Sequence, residues 1–390
     1  MAAPAATAAP LVTPSLSLPP SQFARLQPHA YLLAHLSPPS ASNQPSIRAN
    51  GRAPSQFRVT SANAGSLTHT NGSAVVRIGD TAAVCGVRAE LLHTEDIASW
   101  SVSQASGSNK RRRLADLDGK PSEGEEDDDT EEDRAHIEDL NLLVPNLSLS
   151  TGCAPGFIPG AAPSALAHTR LVRADDLRVW YQPPNLGPEE PERHNEDEPM
   201  DVDAGQNATA EEKPREIKAF WVLYIDIMII SLAGNPFDAA WAAVLAALRD
   251  TKLPKAWWDV DNETIVCSDS VADARKLSLR GLPVSSSFGV FEADAAAGWR
   301  AHVIPDIAEQ EQKGKKGFPE RWILADPDGY EEGLIQERAS IVVDREKDGK
   351  TTIVRMEKNG GWTVDTEDLR QLVEISGRRW DEMKRILDQC

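Results

Sequence analysis

Gly72-Ser-Ala-Val-Val-Arg-Ile-Gly79-Asp80-Thr81-Ala-Ala-Val-Cys85-Gly-Val-Arg-Ala-Glu90 decides how the chain is read. Its first half is rich in β-branched residues and reads as a strand. In its second half the apolar residues are nearly continuous, the pattern of a strand covered on both faces. Upstream, Phe57 to Ala64 alternates in part, and Gly65 and the Asn71-Gly72 pair flank a hairpin turn.

Working outward, Ser21 to Leu36 places Phe23, Leu26, Tyr31, Leu32, Leu33 and Leu36 at the spacing of one short amphipathic helix. Val144 to Leu149 reads as a strand. Residues 164–181 carry Leu166, Leu171, Leu177 and Trp180 in a helical pattern. Ala219 to Ile230 is a long central strand, and Pro236 to Arg249 is an alanine-rich helix with Asp238 in its first turn. Strands follow at 284–291, 321–326 and 339–344, with a charged turn at Glu346–Lys350. Thr366 to Leu387 closes the chain as an amphipathic helix. The fold class is α+β, with mixed sheets packed against helices.

The chain has 390 residues and a formal net charge of −19. Residues 114–139 hold 13 acidic and 2 basic side chains, and residues 186–216 hold 11 and 3. Those two segments account for the whole excess, since the remainder has 36 of each sign. The acidity therefore belongs to two inserts, at 103–137 and 186–216, whose composition predicts disorder. It does not exclude nucleic acid as a partner. Residues 1–20 read as a disordered tail, and 21–390 as one domain that the inserts interrupt.

Four cysteines lie far apart with no CxxC spacing, which argues against a disulfide framework or a zinc site. No Walker loop, GxGxxG or HExxH is present, and no cofactor or metal is expected. The N-terminus lacks the basic region of a signal peptide. The apolar run from Ala219 to Pro236 contains Asp226 and is too short to span a bilayer, so a soluble protein is expected.

Two clusters invite a functional reading. Asp326-Pro-Asp328-Gly-Tyr-Glu331-Glu332 follows a strand, and carboxylates placed there can hold a metal or act as acid and base. Pro-Asp-Gly is also strong turn chemistry, and a solvated turn is the favoured reading. Lys110, Arg111, Arg112 and Arg113 form a basic knot suited to a nuclear-import signal.

Together these segments resemble the RNase PH-like proteins. Arg48-Ala-Asn-Gly51-Arg52 with Phe57-Arg58 is similar to their RPDGR…FR opening, and 72–90 is similar to their GSAxVxxGxTxVxCxVxAE strand pair. Asp226 to Asp238 resembles their D…DGN…DAA strand-to-helix turn, and Asp326-Pro327…Glu331-Glu332 their DPTxxEE segment. The last two forms resemble the non-catalytic branch of eukaryotic exosome ring subunits.

The resemblance implies an RNase PH-like fold (ribosomal protein S5 domain 2-like) and a place in a hetero-hexameric ring. The implied partners are other RNase PH-like subunits, S1- and KH-type cap proteins, and RNA threading the channel, with no membrane. The implied location is nucleus and nucleolus, and also cytoplasm. Active members carry DGG followed by threonine and arginine where this chain has Ala233, Gly234, Asn235, Pro236 and Phe237. They carry an aspartate where it has Arg338. A guanidinium in place of a carboxylate reverses the local charge, so no catalytic residue is assigned and phosphorolysis is not expected. An active phosphorolytic 3′ exoribonuclease is the alternative. Arg170, Arg173 and Arg178 fall where relatives present arginines to RNA.

Overall fold

The computed structural model describes residues 19–38, 44–97, 140–150, 153, 171–181, 216–293, 321–335, 337–345, 349–360 and 366–390. The chain divides into two compact units. Unit 1 takes 1–58, 286–340 and 356–369, and unit 2 takes 59–285, 341–355 and 370–390.

Unit 2 is built on β1 (Thr60–Ala64), β2 (Gly72–Ile78), β3 (Thr81–His93), β4 (Leu143–Leu149), β5 (Arg178–Tyr181) and β6 (Glu216–Ser231). The order is β1-β2-β3-β6-β4, with β5 also on β6. β1, β2 and β3 form an antiparallel meander. β6 runs antiparallel to β3 and β5 and parallel to β4. The deciding stretch is thus the β2–β3 hairpin, turning at Gly79 with φ +58°. One expectation fails here. Ala83, Cys85 and Val87 are fully buried, but Ala82 and Val84 are only half-buried, so β3 is not sealed on both faces. β6 shows the same alternation: Ile225, Ile227 and Ile229 are buried while Met228 and Ile230 stand 48% and 51% exposed.

Against this sheet lies α3 (Pro236–Asp250), whose residues Asp238 to Leu248 are all buried. Alanines at 239, 240, 242, 243, 246 and 247 let its backbone approach closely. It approaches β2 closely at Gly72, where a Cβ would fall 2.6 Å from the Ala247 carbonyl oxygen. Beyond α3 come β7 (Lys252–Leu253), the hairpin β8 (Ala256–Asp259) and β9 (Thr264–Cys267), and β10 (Arg275–Lys276).

Unit 1 contains α1 (Pro20–Leu26) and α2 (Pro28–Leu36), where the sequence predicted one helix. Pro28 supplies no N–H and forces Gln27 out of helical geometry (φ −136°, ψ 68°). Leu32 and Leu36 of α2 pack with Phe291 and Leu324 in a buried cluster that Trp322, Leu334 and Ile335 border.

A four-stranded sheet has the order β12-β11-β13-β14, from β11 (Val284–Glu292), β12 (Arg321–Ala325), β13 (Glu337–Arg345) and β14 (Thr351–Asn359). The short helix α4 (Gly329–Glu332) follows β12, and α5 (Thr366–Asp388) ends the fold. β14 was not anticipated. Ile353, Val354 and Met356 are each about 40% exposed, so no buried face imposes a period on its sequence.

The helix anticipated over 164–181 is also corrected, in the part that is described. Leu171 is a turn residue, Val172 and Arg173 are extended, Ala174–Leu177 is a 3-10 turn, and β5 follows. Tertiary bonds override the helical pattern. Val172 bridges Leu279, the Leu171 carbonyl accepts from the Arg280 amide at 2.8 Å, and Asp176 accepts from the Ser278 amide at 2.8 Å. Residues 103–137 lie outside the described residues, as do those of 186–216 except Glu216, which opens β6 instead of ending an insert.

Candidate functional site

The carboxylates after β12 are not a solvated turn, and this corrects the favoured sequence reading. Asp326 and Glu331 are 1% and 0% exposed. Asp326 has φ +51°, a left-handed conformation that turns the chain sharply out of β12. Its carboxylate faces Arg58, which donates from Nε at 2.8 Å, from Nη2 at 2.7 Å and from the backbone amide at 2.9 Å. This is the bidentate fork geometry of the strongest ion pairs.

Asp328 caps α4. Its Oδ1 accepts from the amides of Tyr330 and Glu331 at 3.0 Å each, while Glu331 Oε2 accepts from the Asp328 amide at 3.0 Å. That reciprocal capping box satisfies the amides a helix start leaves over. Arg48, itself fully buried, donates to Glu331 Oε2 at 3.2 Å. It donates also to the carbonyls of Pro54, Gln56, Ala325 and Asp326. Arg52 reaches Glu331 Oε2 at 3.4 Å and the Asp326 carbonyl at 3.1 Å, and Asn50 donates to Asp328 Oδ2 at 2.7 Å.

Three guanidiniums therefore meet three carboxylates in unit 1. Two motifs some 270 residues apart in sequence, Arg48…Arg58 and Asp326…Glu331, are each other's electrostatic partners. The sequence reading quoted both and assigned no pairing. The signal available was that arginines recur in a segment with few other charges. Burial pushes the Glu331 carboxyl up and the Arg48 guanidinium down to about 10, outweighing their mutual attraction. A general base needs a carboxylate with an exposed lone pair near substrate. Here Asp326 and Glu331 spend theirs on arginines and amides. Arg338 lies at the surface, donating to the Glu332 carbonyl at 3.4 Å, with its guanidinium 3.9 Å from the Glu332 carboxylate.

The turn into α3, in unit 2, is the second place where chemistry was sought. Gly234 (φ +88°) and Asn235 (φ +48°) take left-handed conformations. Thr81 Oγ1 ties the turn to β3, donating to the Gly234 carbonyl at 2.7 Å and accepting from the Ala233 amide at 3.1 Å. Asn235 caps the helix, accepting from the Asp238 amide at 3.4 Å and donating to Asp238 Oδ2 at 2.8 Å. A helix N-terminus attracts anions through free amides and its dipole. This one begins with Pro236, which has no N–H, and already holds the buried Asp238 carboxylate. The Phe237 ring turns toward Trp241, at 5.9 Å between centroids. An incoming phosphate would meet a resident negative charge.

Of the RNA-contact candidates, Arg170 lies outside the described residues, as do Lys110, Arg111, Arg112 and Arg113. Arg173 is half-buried. Arg178, on β5, is buried, with its guanidinium 3.0 Å from Asp175 and 5.8 Å from the Trp180 ring. Among the described residues no group of acidic, histidine or cysteine side chains could hold a metal ion. The Cys85 thiol, buried within β3, is pushed up to about 12 by that burial. It is a packing residue with no thiolate to offer.

The architecture is α+β, with mixed sheets and helices. Residues 192–254 match the model of the 3′ exoribonuclease family, domain 1. The chain is similar to exosome complex component rrp43 of Schizosaccharomyces pombe, at 29% identity over 93% of this chain and 95% of the relative. That relative is of the type, ribosomal RNA-processing protein 43, that the forms at Asp226–Asp238 and Asp326–Glu332 resemble. It is similar as well to exosome complex component Rrp42 of Methanothermobacter thermautotrophicus, at 23% identity over 88% and 90%. A solved structure of the Archaeoglobus fulgidus exosome with RNA bound to the active site has a chain 20% identical, with 92% and 96% coverage and a TM-score of 0.49.

Proposed function

We propose that this chain is a structural subunit of an exosome-type ring, assembling with other RNase PH-like chains to complete an RNA-threading channel for 3′-to-5′ processing and turnover, including rRNA maturation. It carries out no phosphorolysis itself. The observation that carries this reading is the buried node: Asp326 and Glu331, carboxylates of the segment that resembles DPTxxEE, are engaged by Arg58 and Arg48. The α3 N-terminus, with Pro236, Phe237 and Asp238, adds to it. Met228 and Ile230, about half exposed on β6, are apolar surface of the kind that subunit contact covers.

RNA in such a channel is held through phosphates with little sequence readout. Arg170 and Arg173 are the residues proposed to contribute, while the buried Arg178 guanidinium is engaged by Asp175. S1- and KH-type proteins would cap the ring. Lys110–Arg113 would direct the chain to the nucleus and nucleolus, with a further cytoplasmic pool.

Native mass spectrometry of the tagged chain recovered from its own cells tests the assembly. The expected species is a hetero-hexamer of RNase PH-like chains, and recovery of the chain alone would overturn the reading. Incubation of the purified chain with RNA and inorganic phosphate tests the chemistry. No nucleoside diphosphate is expected, and sustained phosphate-dependent release would establish the exoribonuclease alternative.

A further inference from the structure

Unit 2 holds a second concentration of charge whose organisation is the reverse of the node's. A cleft of about 660 Å³ is lined by the C-terminal ends of α3 and α5 and by the segment 276–282. Its floor is apolar, made by Leu277, Leu279 and Leu282. Around it stand Arg249, Lys276, Arg345 and Lys384, with Asp388 as the one carboxylate among the lining residues described.

The two arginines are neutralised. Arg249 pairs with Asp388 at 2.8 Å, and Arg345 with Asp381 at 2.6 Å while donating to Thr351 Oγ1 at 3.1 Å. Asp344, close by at Gly281, is spoken for by the amides of Leu282 and Arg345. Lys276 and Lys384 are exposed and have no carboxylate partner among the described residues. The Lys384 ammonium lies 5.0 Å from the Trp380 ring centroid, and that ring is fixed by its Nε1–H, which donates to the Leu282 carbonyl at 2.7 Å.

We propose that this cleft binds a phosphomonoester of nucleotide size, with Lys276 and Lys384 taking the phosphate and the leucine floor taking the organic body. The charges match. Two unpaired ammoniums face a group that carries about −1.5 to −2 at neutral pH. Lysine ammoniums bind phosphate as point charges and need no fork geometry. The volume falls within the roughly 300–1,000 Å³ of small-ligand sites, which combine an apolar lining with a few polar groups. The site is separate from the turn at Asn235. That residue caps the opposite end of α3, whose 15 residues span about 22 Å at ~1.5 Å each. A phosphomonoester can come from a free nucleotide or from the 5′-phosphorylated end of an RNA, and the recognition chemistry is shared.

Isothermal titration of the full chain separates these cases. AMP is expected to bind, and adenosine at least ten-fold more weakly. The double variant Lys276→Gln/Lys384→Gln should lose at least ten-fold in AMP affinity, while the single variant Lys384→Arg retains it. Both lysines are exposed, so the variants should melt with the parent protein. A 5′-phosphorylated trinucleotide that competes with AMP, where its 5′-hydroxyl counterpart does not, assigns the site to RNA ends. Competition by AMP alone assigns it to free nucleotide. Absence of AMP binding, equal binding of adenosine, or an unchanged affinity in the double variant would overturn the proposal.

Discussion

The node around Asp326 and the cleft below Trp380 both bring arginines and acidic side chains together, and they come to opposite ends. In the node, three guanidiniums and three carboxylates close on one another, with Arg48 and Glu331 fully excluded from water. In the cleft two pairs close, and two lysines are left over at the surface. A charge that is buried must be paired, because desolvating it alone costs several kcal/mol. A charge left exposed bears no such constraint and is available to a ligand. Residue type at a motif position therefore says little about role until burial and partners are known.

Removing one member of the node breaks the comparison most directly. Asp326→Ala strands the Arg58 guanidinium and the Arg58 backbone amide in a buried site. A loss of about 3–5 kcal/mol is expected, the usual cost of an uncompensated buried charge. Urea unfolding of the variant measures it. A loss below about 1 kcal/mol would show that the node is ornamental, and would reopen a chemical role for Asp326.

The sequence disclosed the frame of the molecule and concealed the node. β2, β3, β6 and α3 were readable from local composition, β-branched and apolar runs in the strands and alanines in the helix, which their burial in the fold explains. β14 was not, since its apolar residues are all about 40% exposed. The 171–181 segment misled because its leucines are spaced like a helix while its hydrogen bonds go to the 278–280 segment. The carboxylates of 326–331 were legible as a turn from Pro-Asp-Gly, but the capping box that opens α4 was not read. Their burial was invisible because it depends on arginines some 270 residues away. Pattern reading sees neighbours along the chain and faces of elements. It has no access to an ion pair that only the folded chain brings together.

A middle-sized effect tests what Asn235 supplies at the start of α3. Asn235 both caps α3 and takes a left-handed conformation. Asn235→Ala should cost about 1–2 kcal/mol, because it removes the cap and strains a Cβ-bearing residue at φ +48°. Asn235→Gly should cost less, since glycine accepts that conformation freely. Thermal melts of both variants check the order, and the reverse order would mean that backbone geometry is not what asparagine supplies there.

Glu331 sharpens the comparison through pH. Its carboxyl is raised above the ordinary 4.5 by burial, with Arg48 and Arg52 opposing. The folded state then holds this proton more tightly than the unfolded chain does. Stability from this group is complete below about 4.5 and is lost as pH rises through the folded value. Glu331→Gln removes the dependence while its amide oxygen still accepts a hydrogen bond from Arg48. Melting curves across pH 4 to 8 should converge with the parent protein at the acid end and separate above it. Parallel curves would place the Glu331 proton equilibrium outside the node's energetics.

The smallest effect is expected at Arg338, and the size is the point. Its side chain is 55% exposed, it donates to the Glu332 carbonyl at 3.4 Å, and its nearest carboxylate contact is 3.9 Å away. An exposed pair of that kind contributes about 0–1 kcal/mol. Arg338→Asp, which installs the charge that the sequence resemblance expects at this position, should therefore change stability by less than about 0.5 kcal/mol. It should not produce phosphate-dependent release of nucleoside diphosphates from RNA. The Pro236-Phe237 turn and the Asp238 carboxylate remain, and a restored carboxylate has no phosphate beside it to assist. If Arg338→Asp alone switched phosphorolysis on, the obstacle would be that one guanidinium, and the closed turn at α3 would have no part in silencing the chain.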